Sequence, residues 1–235
     1  MKDPAPQGRP AAATVGPLAF LGAAVVVTAL NLVPYGETVL YPLAIFTTWV
    51  HETAHALAAT ILGAKVQGLL VPPDTSGQAT YWYVVNDFAT TSRAITASAG
   101  YLGAALAAAG FLAAARRPRL HRIVLATVAG LLVVTTVLWV RTGFGVTMLL
   151  VLAAGAAVIA AKGSAGTARW ALLLLGLQTG LTAGLDIRAL YYVDGTTDAQ
   201  TMSKVVGLPA VFWATLWLAI GAAVLTRGFL KALRD

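Results

Sequence analysis

Apolar residues dominate this chain in long runs, separated by short polar or turn-forming breaks. A helix that crosses the hydrocarbon core of a bilayer needs about 20 apolar residues. The runs at 17–33, 38–62, 94–115, 121–140, 143–161, 169–192 and 208–229 are all near that length. Pro34-Tyr35-Gly36 separates the first run from the second, and Arg116-Arg117-Pro118-Arg119 the third from the fourth. At Arg141-Thr142-Gly143 the break is weaker, and one long kinked helix fits as well as two. The pattern predicts an all-α integral membrane helix bundle with six or seven transmembrane helices.

One stretch has a different texture. Val66 to Val71 and Ala79 to Val85 are β-prone, and between them lies the turn-forming run Pro72-Pro73-Asp74-Thr75-Ser76-Gly77. This predicts a small β-hairpin over residues 65–85, between the second and third helices. An open strand edge cannot face hydrocarbon, so the hairpin has to be buried in protein, wetted or paired with another strand. Residues 1–16, rich in Pro and Ala, read as a disordered lead-in, and residues 17–235 as a single transmembrane domain.

Composition agrees with a membrane protein. The 235 residues are 58% hydrophobic and 11% charged, whereas about a quarter of a soluble domain is charged. So little charge cannot cover a water-facing globule, and the lipid bilayer must solvate much of the surface. The net charge of +7 raises nucleic acid as a partner, but no basic run is interleaved with aromatic residues, so that class is set aside. The Lys and Arg residues lie mostly between apolar runs, where headgroups and topology account for them. Counted over seven spans they divide nine to one side and seven to the other, which leaves the orientation open. The absence of cysteine excludes disulfides and thiolate metal sites.

The chemistry centres on His51-Glu52-Thr53-Ala54-His55, inside the second apolar run. Four residues apart on a helix, His51 and His55 project from one face. That spacing lets two imidazoles bind one zinc ion, while Glu52 reaches a metal-bound water as general base. Thr48 shares this face and is a candidate to hold a ligand or water. An ionisable side chain within an apolar helix is costly, which favours function over a chance match.

Catalytic zinc takes three protein ligands and keeps one position open. His121 sits beside the arginine-rich break and reads as interfacial, so a carboxylate is expected as the third ligand. Asp74, Asp87 and Asp194 read as loop residues. Asp186 lies within the sixth run, on a polar stripe with Gln178 and Thr182 and next to a small-residue stripe of Gly176, Gly180 and Gly184. The pattern therefore favours Asp186. Asp198 follows Gly195-Thr196-Thr197, where starting a helix explains an aspartate without any metal.

These motifs resemble the site-2 protease group of intramembrane zinc metalloproteases, in particular its small, bacterial M50B-like branch. The matching pieces are His51 to Ala59, Pro73-Asp74-Thr75-Ser76-Gly77, Ala99-Gly100-Tyr101-Leu102-Gly103, Leu185-Asp186-Ile187-Arg188, and Thr197-Asp198-Ala199 followed by Trp213 and Trp217. The resemblance implies a late membrane-helix aspartate as third zinc ligand, carried onto Asp186. The wider group has a Leu-Asp-Gly or Asn-Pro-Asp-Gly motif, whereas here Ile187 follows Leu185-Asp186, so Asp198 stays open as the alternative.

The function expected is zinc-dependent endoproteolysis of membrane-spanning or membrane-proximal proteins, in a multi-pass protein of the bacterial cell membrane. A regulatory membrane partner is expected, since no sensor module is visible in the sequence. The alternative is a catalytically silent, metal-binding membrane scaffold or assembly partner. A transporter fits less well, because the chain has no internal repeat or paired broken helices.

Overall fold

The computed structural model describes residues 16–83, 89–189 and 197–233. The lead-in before residue 16, Asp87 and Asp194 lie outside the described residues. In chain order the elements are α1 (Pro17–Leu32), α2 (Gly36–Ile61), β1 (Lys65–Leu70), β2 (Gln78–Trp82), α3 (Ala89–Ala115), α4 (Pro118–Trp139), α5 (Gly143–Lys162), α6 (Ala165–Ala189), α7 (Asp198–Val206) and α8 (Ala210–Leu233). The expected helical membrane bundle with one hairpin is present.

Five of these helices, α3, α4, α5, α6 and α8, are each long and apolar enough to cross a membrane. The first two apolar runs qualify only together, as α1 and α2 joined at a bend of 104°, which gives at most six spans among the described residues. The six-or-seven expectation therefore narrows at its upper end. At about 1.5 Å per residue, the 16 residues of α1 rise only about 24 Å, short of a core about 30 Å thick. Polar residues lower the apolarity of α2, and Tyr35 takes a left-handed φ of 65° at the bend.

The outside of the bundle is apolar, as lipid contact requires. Ile123, Val137, Val151 and Val158 are all well exposed on α4 and α5. Inside, α3 is the central post. Gly176 and Gly180 of α6 lie against Leu112 and Ala108 of α3, with Leu225 of α8 also beside Gly180. Along the same post, α8 runs parallel to α3, with Trp217 stacked on Tyr101 and Gly228 beside Ala109. The glycine stripe of α6 thus serves packing against α3 and α8, and Gly184 has no neighbour within 4 Å of an added Cβ.

The break near Arg141 separates two helices and has a use. Val140 forms a parallel bridge with Leu69, and the Arg141 backbone N–H donates to the Leu69 carbonyl at 3.0 Å. The α4–α5 connection thereby covers the outer edge of β1. β1 and β2 pair antiparallel, with Leu69 opposite Ala79 and Gly68 opposite Thr80. Backbone groups alternate in direction along an antiparallel strand. Since Leu69 faces outward to Arg141, its partner Ala79 also faces away from the hairpin, as does Tyr81, while Gln78 and Thr80 face β1.

Candidate active site

α2 carries His51 and His55 one turn apart, with ring centroids 4.7 Å from each other. Their Nε2 atoms are 3.0 Å apart. Asp198 completes the group, its Oδ2 lying 3.2 Å from Nε2 of His51 and 3.0 Å from Nε2 of His55. Among the described residues, these three form the one metal-competent cluster of His, Cys, Asp or Glu side chains.

A proton count favours a cation at this centre. Nδ1 of His55 lies 2.6 Å from the Thr96 carbonyl, which can only accept, so Nδ1 carries a proton. In the neutral ring Nε2 is then a bare lone pair, aimed at a carboxylate oxygen and at a second imidazole. With His51 in the tautomer that leaves its Nε2 bare, three acceptors converge within hydrogen-bonding distance, and they repel one another unless a proton or cation lies among them. The Thr96 carbonyl also fixes the ring's orientation, as outer contacts of metal-bound histidines do. Burial alone would raise the carboxyl pKa of Asp198, but His55 and His51, when protonated, outweigh it and hold the group well below the usual carboxylate range.

The aspartate in this cluster is the sequence alternative, and Asp186 stands apart from it. Asp186 is an exposed residue of α6 that lines the same cavity without joining the two histidines. Its stripe has another purpose, because Gln178 exchanges hydrogen bonds with Asn31 of α1 and donates to Thr182. Asp198 is free for the histidines because Thr197 does the capping, accepting from the Gln200 N–H at 3.2 Å. The cap that seemed to explain Asp198 is thus its neighbour.

Glu52 points into the same cavity, which has a volume of about 610 Å³. The hairpin turn closes over it. Thr48 Oγ1 donates to the Thr75 carbonyl at 2.7 Å, and the Tyr41 hydroxyl to the Pro73 carbonyl at 2.6 Å. Thr48 therefore anchors the hairpin turn. The outward-facing Ala79 N–H reaches the Glu52 carboxylate. Gly77 lies so close that an added Cβ would be 2.5 Å from Glu52 Oε1.

Other candidates fall into structural roles. Asp74 accepts from the Ser76 N–H and hydroxyl, and these bonds lower its pKa. His121 is buried, with Nε2 2.9 Å from the Ala115 carbonyl, where it satisfies the end of α3 beside the arginine-rich turn.

Three site residues had a sequence motif but no assigned role. Gly100 makes room for the cluster, since an added Cβ would collide with Nε2 of His55 and lie 2.5 Å from Nε2 of His51. Tyr101 sets its ring edge-on to His51 at 4.6 Å and stacks on Trp217 at 5.5 Å. The Ala99–Gly103 motif and the late tryptophan thus form one wall behind His51.

No curated protein and no solved structure matches the chain. A family model described as Peptidase M50B-like matches residues 21–228. That span takes in α2, the hairpin, α3, α7 and all of the site just described. The chain therefore belongs to the Peptidase M50B-like family, within the site-2 protease group that its motifs resemble.

Proposed function

We propose that this protein is a zinc-dependent intramembrane endopeptidase that cleaves membrane-spanning or membrane-proximal proteins. The observation that carries the reading is the convergence of His51, His55 and Asp198 beside Glu52 in a cavity roofed by the hairpin. Two imidazoles and a carboxylate are a usual donor set for a catalytic zinc, which supplies Lewis acidity and lowers the pKa of water when bound.

The chain's own residues supply the rest. Glu52 is placed to take a proton from the attacking water on its carboxylate and return it to the leaving amine. Its burial keeps competing water away. The Thr96 carbonyl holds His55, and Tyr101 with Trp217 backs His51. The outer edge of β2 supports strand addition at Tyr81, beyond the Ala79 N–H that reaches Glu52, because a peptide bond has to leave helical form before attack and an extended segment pairs with outward-facing backbone.

The substrate is a membrane protein, the medium is the lipid bilayer of a bacterial cell, and control belongs to a separate membrane partner. Glu52→Gln tests the reading and separates it from a silent metal-binding scaffold. Metal content should stay near the wild-type level while cleavage falls about a hundredfold or more. Normal cleavage by Glu52→Gln would refute the assignment of Glu52, and absence of proteolysis in the wild-type chain with a candidate substrate panel would favour the scaffold.

A further inference from the structure

A second, smaller cavity lies between α3, α6 and α8, beside the catalytic one. It has a volume of about 270 Å³, and its walls include Ala105 of α3, Gly184 and Leu185 of α6, and Leu218 and Ala222 of α8. Among the described residues, no charged side chain lines it. The catalytic cavity, in contrast, carries Glu52, Asp186 and Asp198. Tyr101 and Ala183 line both. The two spaces therefore meet at one ring and one methyl group.

The smaller cavity owes its room to one glycine. Gly176 and Gly180 of the α6 stripe are closed off by Leu112, Ala108 and Leu225, whereas an added Cβ at Gly184 meets nothing within 4 Å. Glycine inside a helix is destabilising relative to alanine, and at Gly184 no close packing offsets that cost. Open space is what the residue provides. The shared wall is firmly held, because Tyr101 lies edge-on to His51 at 4.6 Å and stacks on Trp217 at 5.5 Å. The apolar cavity thus begins at a ring that packs on one of the two cluster histidines.

Size and surface select the occupant. One turn of a helix about 10–12 Å across and 5.4 Å in pitch takes up about 400 Å³ or more, so the cavity is too small for a docked helix. It suits a single large apolar side chain. Lipid reaches its outer rim at the exposed Ala222, but the wall shared with the catalytic cavity favours a peptide lying across that cavity. Apolar pockets of this kind discriminate about 10–200-fold for each methylene group gained or lost.

We propose that this cavity is a specificity subsite that takes one bulky aliphatic or aromatic side chain of the substrate, next to the scissile bond, and that Gly184 keeps it open. The proposal rests on the proteolytic reading above. It narrows the substrates to membrane proteins with a large apolar residue at that position, over those with Gly or Ala there.

The test uses full-length protein reconstituted with single-span peptides that the wild type cuts, the bond being mapped by mass spectrometry. The peptides are remade with Ala, Leu or Phe on either side of that bond. At one of the two positions the wild type should prefer Leu or Phe to Ala by about tenfold or more in kcat/KM. Gly184→Leu fills the cavity without a collision and should cut this preference to less than about threefold, with zinc content unchanged. Ala222→Leu, which fills it from α8, should act in the same direction. A preference kept by both variants, or an equal loss on Ala and Phe peptides, overturns the proposal.

A second readout needs no turnover. The chain has no cysteine, so Gly184→Cys in the Glu52→Gln background carries a single thiol. Single-span peptides with one cysteine at each position in turn are cross-linked to it by mild oxidation. One position or two adjacent ones should react. Cross-links recurring every three or four residues would mean a helix docked along α6, and no cross-link would leave the cavity to lipid; either overturns the proposal. If the wild type cuts nothing, the proteolytic reading fails, and the cross-linking pattern still decides whether the cavity takes a peptide side chain.

Discussion

Helices α6 and α7 each present an aspartate to the same cavity, and they do so in contrasting ways. α6 is a long apolar span of 25 residues, and Asp186 stands on it as an exposed group beside the two histidines' cavity. α7 has nine residues and is not a membrane span, yet it delivers Asp198 to within 3.2 Å of both histidines. A carboxylate within an apolar run draws attention because it is costly there. What decides a ligand, however, is convergence of donor atoms, and a short capped helix provides that more readily than a helix committed to packing. The stripes of α6 are largely occupied, with Gly176 and Gly180 against α3 and α8 and Gln178 bonded to Asn31.

The contrast can be broken or sharpened by substitution. The largest effect expected is on turnover: Asp198→Asn should lower cleavage about a hundredfold or more, while Asp186→Asn should lower it by less than about tenfold. Quantitative cleavage of a reconstituted membrane substrate checks this, and equal losses would erase the distinction between the helices.

Next comes Gly100→Ala. Its Cβ would collide with the histidines, so zinc affinity measured by competition with a chelator should fall by about ten- to a hundredfold, the range seen when contacts that orient metal ligands are lost. Unchanged affinity would mean that the two rings have room to move.

The hairpin gives a smaller effect. Tyr81→Pro removes an outward-facing N–H beyond the one that reaches Glu52, so cleavage should fall about tenfold with metal content unchanged. At Thr80, which faces β1, Pro should instead disrupt the hairpin and reduce stability. Indifference of cleavage to Tyr81→Pro would leave the hairpin as a cover. Thr197→Ala, which removes the cap of α7, should be the mildest. It should cost about 1 kcal/mol and weaken zinc binding less than about tenfold, as read by thermal melting and chelator competition.

Much of this architecture was legible because it rests on local pattern. Apolar runs marked the helices, the β-prone stretch around Pro72 to Gly77 marked the hairpin, and the spacing of His51, Glu52 and His55 marked the centre. What was hidden depends on contacts between distant segments. No periodicity reports that α1 stops short and bends, or that Val140 and Arg141 pair with β1. Asp198 read as the start of a helix, whereas Thr197 caps α7 and leaves Asp198 beside His51 and His55, with Asp186 lining the cavity apart from them. Gly100 and Tyr101 lay in a motif whose meaning appears only when α3 is set against α2.

Metal content is the most direct test of the central claim, that α7 and not α6 completes the metal site on α2. Elemental analysis of detergent-purified protein should find about one zinc per chain in the wild type and in Asp186→Asn. After dialysis against a moderate chelator, Asp198→Asn should retain less than about a tenth of that amount. Retention of zinc by Asp198→Asn together with its loss from Asp186→Asn would contradict the account.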